Sequence, residues 1–137
     1  MVDTFEQRFP ARPEHLADIR AAVTVRLRGY GCCPDTLHDV VLAVDEACQN
    51  IIRHAYAGCD GEIVLQLGRR AEHLVVRLID FAPPVDTARI GPRPLDELRP
   101  GGLGTHLMRE VMDAVTFLDP PAGAGNLLEM TKRIGTP

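Results

Sequence analysis

Between Leu37 and Ala55 the chain carries apolar residues at helical spacing: Leu37, Val40, Val41, Val44, Cys48, Ile51, Ile52 and Ala55 fall on one stripe at about 3.6 residues per turn. A stripe that long needs a second layer to cover it. The segment predicts a helix from about Pro34-Asp35 to Ala57-Gly58, with Gly58 as its stop signal. The rest of the chain must supply the covering surface.

The flanking segments have the patterns to do so. Residues Thr4 to Phe9 alternate as a short strand, ended by Pro10 and Pro13. From Pro13, suited to a first helical turn, Leu16, Ile19, Ala22, Val23 and Leu27 mark an amphipathic helix that stops at Gly29 and Gly31. Downstream, Glu62 to Leu67 and Leu74 to Asp80 read as a hairpin turning through Gly68 to His73. A proline-rich stretch from Phe81 to Pro100 excludes regular structure and reads as a lid-like loop. A third helix carries Leu103, Leu107 and Val111, and strands Ala114 to Leu118 and Leu127 to Ile134 close the chain around a turn at Pro120 to Gly125. This order predicts a single α+β domain over residues 1–137, a two-layer sandwich with helices on one face of a mixed, mostly antiparallel sheet.

Composition bears on what such a domain contacts. Fifteen Lys and Arg against 19 Asp and Glu give a net charge of −4, so no global positive field gathers nucleic acid or an anionic membrane. No apolar run approaches the roughly 20 residues of a membrane span, and Met1 to Phe5 lack the pattern of a signal peptide, so the expected location is the cytoplasm. The four cysteines show no Cys-x-x-Cys spacing and read as incidental thiols.

Three polar features interrupt this scaffold. On a helical wheel Glu46 lies roughly opposite the apolar stripe, and Asn50 follows about 40° further round. One turn apart, a carboxylate and a carboxamide can act on one ligand, the first as a base and the second as a hard oxygen donor for Mg²⁺. The same residues also fit an ordinary solvated helix face. Asp80 ends an apolar strand where a carboxylate can face a cleft, or can be a plain turn residue. Gly101-Gly102-Leu103-Gly104-Thr105 runs into the third helix, so unhindered N–H groups and a helix N-terminus can converge on phosphate oxygens. It lacks the Lys-Ser or Lys-Thr of a P-loop and the spacing of a dinucleotide fingerprint.

In this order and on these elements, the three features resemble the ATP site of the GHKL (Bergerat-fold) superfamily, which includes gyrase-type ATPases, Hsp90, histidine kinases and MutL. Within it, Asn50 followed by His54-Ala55-Tyr56, and Pro100-Gly101-Gly102-Leu103-Gly104, look most like the anti-sigma-factor serine kinases of the RsbW and SpoIIAB type. The resemblance implies a Mg-ATP-dependent protein serine/threonine kinase with Glu46 as general base and Asn50 as Mg²⁺ ligand. Asp80 would be the adenine contact, with Ala82, Gly101, Gly102, Leu103, Gly104 and Thr105 around the nucleotide, and Thr131 would support the adenine. It also implies a STAS-domain anti-sigma-factor antagonist as substrate, a sigma factor as second partner, and homodimers. Family members often have Asp-x-Gly-x-Gly where this chain has Asp80-Phe81-Ala82-Pro83-Pro84. That departure keeps a non-catalytic module that sequesters a sigma factor or antagonist as the alternative.

Overall fold

The computed structural model describes residues 1–84 and 102–134. Strand β1 spans Val2–Pro10, and a 3-10 turn at Pro13–His15 leads into α1 (Leu16–Gly29). Next come α2 (Pro34–Asn50), a π turn (Ile51–Ala55), β2 (Glu62–Arg70) and β3 (His73–Asp80). The chain ends with α3 (Gly102–Val111), β4 (Ala114–Leu118) and β5 (Asn126–Arg133). The strands form one five-stranded sheet in the order β1-β2-β3-β5-β4. The expected α+β sandwich is what forms, and within it every described strand pair is antiparallel.

Side-chain alternation puts one face of the sheet against the helices. Ile63, Leu65 and Leu67 of β2, Leu74, Val76 and Leu78 of β3, and Leu128 and Met130 of β5 share a core with Ile19, Val23 and Leu27 of α1. From α2 the same core takes Val40, Ala43, Val44, Ala47 and Cys48. α2 packs against both α1 and α3. Its buried set is therefore wider than the single stripe of the sequence, and includes the small residues Ala43 and Ala47. Each fully buried Leu, Ile or Val contributes about 1.5–3 kcal/mol, so this one face accounts for most of the favourable free energy. The opposite face holds a small apolar cluster, Val64, Ile79 and Leu127, and an ionic one. There Glu129 accepts from Arg77 at 2.8 Å and meets Arg70 at 3.4 Å. Burial pushes the Glu129 carboxyl up, but the two arginines outweigh it and hold it below the usual range.

Two elements differ from the sequence pattern. The β2–β3 hairpin pairs Arg70 with His73, so Gly68 to Arg70 belong to the strand and only Ala71 and Glu72 make the turn. Arg69 explains this: it is buried, its guanidinium lies 5.7 Å from the Tyr30 ring centre, and it donates to the Tyr30 carbonyl at 3.1 Å. The end of α1 thus holds a charged residue inside the sheet. The second difference is that α2 does not run as one α-helix to Ala57. After Asn50 it widens, and the Tyr56 N–H donates to the Ile51 carbonyl, five residues back, at 2.9 Å. Such wide turns frequently mark functional sites.

Candidate functional site: a buried carboxylate beside a widened helix end

The register places Asp80 in a row with Ile63 of β2 and Asn126 of β5, on the helix-facing side of the sheet. Asp80 is only 3% exposed, and a carboxylate so placed needs hydrogen-bond donors. Its Oδ1 accepts from Asn126 Nδ2 at 2.9 Å and from the Ala82 N–H at 3.1 Å. Its Oδ2 takes no hydrogen bond among the described residues. Burial pushes the Asp80 carboxyl up from the ordinary range, and the two hydrogen bonds pull against that rise. The result is an oriented acceptor with one oxygen available, suited to an amino group such as that of adenine.

The segment that lacks the expected glycines is pinned to the neighbouring strand. Ala82 is buried in the main core, and its N–H closes a tight turn back to the Asp80 side chain. Asn126 Nδ2 reaches Pro83 O at 3.2 Å, and the Gly125 N–H donates to Asp80 O at 2.8 Å. A Cβ built on Gly125 would overlap the Ala82 carbonyl oxygen. The close backbone approach here is between the Gly125 and Ala82 segments of the protein itself, with the glycine on the segment facing the loop.

On the helix side, Glu46 and Asn50 sit one turn apart on the last turns of α2, both half-buried. Glu46 makes no hydrogen bond or ion pair among the described residues, which leaves its carboxylate available as a base. Tyr56, at the end of the π turn, joins this helix to the Asp80 strand. Its hydroxyl donates to Glu62 O at 2.6 Å and accepts the Phe81 N–H at 2.8 Å. The helix end that carries Asn50 is thereby tied to the residue following Asp80.

The glycine segment is helical earlier than expected: Gly102, Leu103, Gly104 and Thr105 form the first turn of α3, while Gly101 and the expected lid beyond Pro84 lie outside the described residues. The first N–H groups of a helix have no intrahelical acceptor, so this turn presents donors. Thr131 corrects the sequence expectation. It pairs with Val75, five positions along β5 from Asn126, and an odd step in a strand turns the side chain to the other face. Thr131 therefore faces away from Asp80, and the residue that supports the carboxylate is Asn126. Sequence reading missed Asn126 because its strand was expected to start at Leu127. The available signal was a polar residue after Gly125 at the head of an apolar run.

Comparison with known proteins bears on the family and the fold. Residues 9–132 match the histidine kinase-like ATPase domain. The serine-protein kinase RsbW of Bacillus pumilus is 32% identical over 142 aligned residues, covering 96% of this chain and 86% of that protein. RsbW of Bacillus cereus is 29% identical with the same coverages, 96% and 86%. Among solved structures, the RsbU and RsbW domains of a Mycobacterium tuberculosis protein superpose with a TM-score of 0.68 at 17% identity, covering 99% of this chain and 34% of that one. The SiaB-SiaC complex of Pseudomonas aeruginosa gives 0.60 at 18% identity, covering 93% and 88%. At those identities the superpositions speak for the fold. With a buried carboxylate, a glycine-led helix and a Glu-Asn helix end in the expected order, the chain belongs to the histidine kinase-like ATPase family and, within it, to that of the serine-protein kinase RsbW.

Proposed function

We propose that this protein is an anti-sigma-factor kinase that phosphorylates a serine on a STAS-domain antagonist and, in the alternate partnership, holds a sigma factor. The observation that carries the nucleotide part is Asp80: buried, oriented by Asn126 and Ala82, and with one oxygen available. The donor set fits Mg-ATP. Asp80 offers an acceptor for the adenine amino group, the first turn of α3 offers N–H groups for phosphate, and Asn50 offers a hard oxygen for Mg²⁺. When bound, Mg-ATP supplies the transferable γ-phosphoryl group and the charge that offsets its phosphates. The protein's own residues do the rest. Glu46 would take the proton of the serine hydroxyl as its oxygen bonds the γ-phosphorus and ADP leaves, with α2 and α3 carrying the residues that position the two ends.

The names of the relatives support the kinase reading. No helix among the described residues is long and apolar enough to cross a membrane, which is compatible with the proposed cytoplasmic location. Among the described residues β1 is an edge of the sheet, and its outer side is where a homodimer would pair. The alternative, a sequestering module without catalysis, drew on the missing loop glycines. The Glu46 carboxylate, with no hydrogen bond or ion pair among the described residues, and the kinase names of the relatives favour catalysis instead.

The test is transfer of label from ATP to a serine of a purified STAS partner. Glu46→Ala should lose transfer by about 10²–10⁴-fold and retain nucleotide binding. Undiminished transfer by Glu46→Ala would remove Glu46 as the base, and absence of transfer by the unmutated protein that still binds the partner would favour the sequestering module.

A further inference from the structure

We propose that Tyr56 is a positioning residue of the nucleotide site, holding the adenine-side loop at a fixed distance from the helix end that carries Asn50. This rests on the reading of Asp80 and Asn50 given above and adds a residue to it.

Three observations converge on Tyr56. Its backbone closes the π turn, with N–H to Ile51 O at 2.9 Å. A continuous α-helix would bond that N–H to Ile52 instead, turning the Tyr56 side chain by about 100° around the helix. The widened turn thus aims the ring at the sheet. The second observation is that the hydroxyl is used twice, donating to Glu62 O at 2.6 Å and accepting the Phe81 N–H at 2.8 Å. Phe81 directly follows Asp80, so the second bond acts one residue from the oriented carboxylate. The third is that Gly61 leaves room for the ring, because a Cβ there would overlap Tyr56. The Tyr56 hydroxyl is a direct hydrogen-bonded link between the helix end and the strand exit.

Packing alone does not require this. Tyr56 belongs to the core, and a phenylalanine would fill the same volume. What the hydroxyl adds is an acceptor for the Phe81 N–H, and with it a fixed exit direction for the chain after Asp80. If that exit loosens, the adenine acceptor loses its setting while the residues around the reacting phosphate do not.

The experiment compares Tyr56→Phe with the unmutated protein, with Asp80→Asn, and with Val23→Ala in the α1 core. Calorimetry gives the Kd for Mg-ATP and Mg-GTP, melting gives stability, and phosphotransfer at saturating ATP gives kcat. Tyr56→Phe should raise the Kd for Mg-ATP about tenfold and narrow the preference for ATP over GTP, with kcat within about twofold. Val23→Ala should lower the melting temperature without moving Kd or nucleotide preference. An unchanged Kd and preference in Tyr56→Phe, alongside weakened binding in Asp80→Asn, overturns the role of Tyr56 alone. Binding by Asp80→Asn as tight as wild type overturns the site reading and this inference together. Hydrogen exchange on the unmutated protein is the second measurement, should Tyr56→Phe not fold. The Phe81 amide should exchange as slowly as amides in the middle of β3, and fast exchange there overturns the proposal.

Discussion

Replacing Gly125 by alanine tests how the Asp80 loop is seated. The new Cβ would lie on the Ala82 carbonyl oxygen, where real Cβ contacts are essentially never under 3.0 Å. The two backbones must separate by more than about 1 Å to relieve the overlap. The Gly125 N–H bond to Asp80 O, at 2.8 Å, does not survive such a shift, and the Ala82 N–H bond to Asp80 Oδ1, at 3.1 Å, is strained by it. Overpacking at a tight contact costs about 1–3 kcal/mol, and a lost hydrogen bond adds about 1 kcal/mol. The expected destabilisation is therefore about 2–4 kcal/mol, and with about 4 °C per kcal/mol for a domain of this size the melting temperature falls by about 8–16 °C. ATP affinity should fall at least about fivefold, because the acceptor is no longer held in one orientation. Gly29→Ala is the control, since a Cβ there meets nothing within 4 Å. Thermal melts and calorimetry with Mg-ATP check both figures. A Gly125→Ala protein that melts within about 2 °C of wild type and binds ATP equally well would show that the loop is not seated on Gly125 at all.

Other perturbations separate binding from stability. Asp80→Asn should weaken ATP by about 1.5–3 kcal/mol, or between about tenfold and about 150-fold, by removing a charged acceptor. The same change should stabilise the apo protein at neutral pH. The folded Asp80 carboxyl titrates above its unfolded value, so its charge opposes folding as pH rises through that window, and the advantage of Asp80→Asn should shrink as pH falls toward about 4. Melts of the two proteins across pH 4 to 8 check the sign. Glu129 behaves oppositely: its folded pKa is lowered, so its stabilisation is present above the unfolded value and lost as pH falls through the folded one. Glu129→Gln should therefore be less stable than wild type at neutral pH, with the difference closing in acid. Asn126→Ala should weaken ATP about five- to tenfold and lower the melting temperature, whereas Thr131→Ala should leave ATP affinity within about twofold. Equal losses from these two variants would contradict the assignment of faces in β5.

How much of this was legible in the sequence follows from which features are local. Periodicity is local, so Leu37 to Ile52, the hairpin and the α+β order were readable, as were Glu46, Asn50, Asp80 and the glycine-led helix as residue types on their elements. The limits of periodicity appear at Asn50 and Arg70. A 3.6-residue pattern does not distinguish a continuous helix from one that widens to satisfy a tyrosine hydroxyl at Glu62 and Phe81. An Arg-Arg pair does not look like strand until Tyr30 covers Arg69 on one face and Glu129 meets Arg70 on the other.

The support of the carboxylate was decided by tertiary structure for a similar reason. Strand parity is absolute once the register is known, and the register comes from pairing with β3, not from β5's own residues. One odd step sends Thr131 to the far face and brings Asn126 to Asp80. The sequence by itself determined the order of the elements and where Glu46, Asn50 and Asp80 stand on them. Only the folded sheet decided that the loop without glycines would find its close contact at Gly125, because that contact lies between segments more than 40 residues apart.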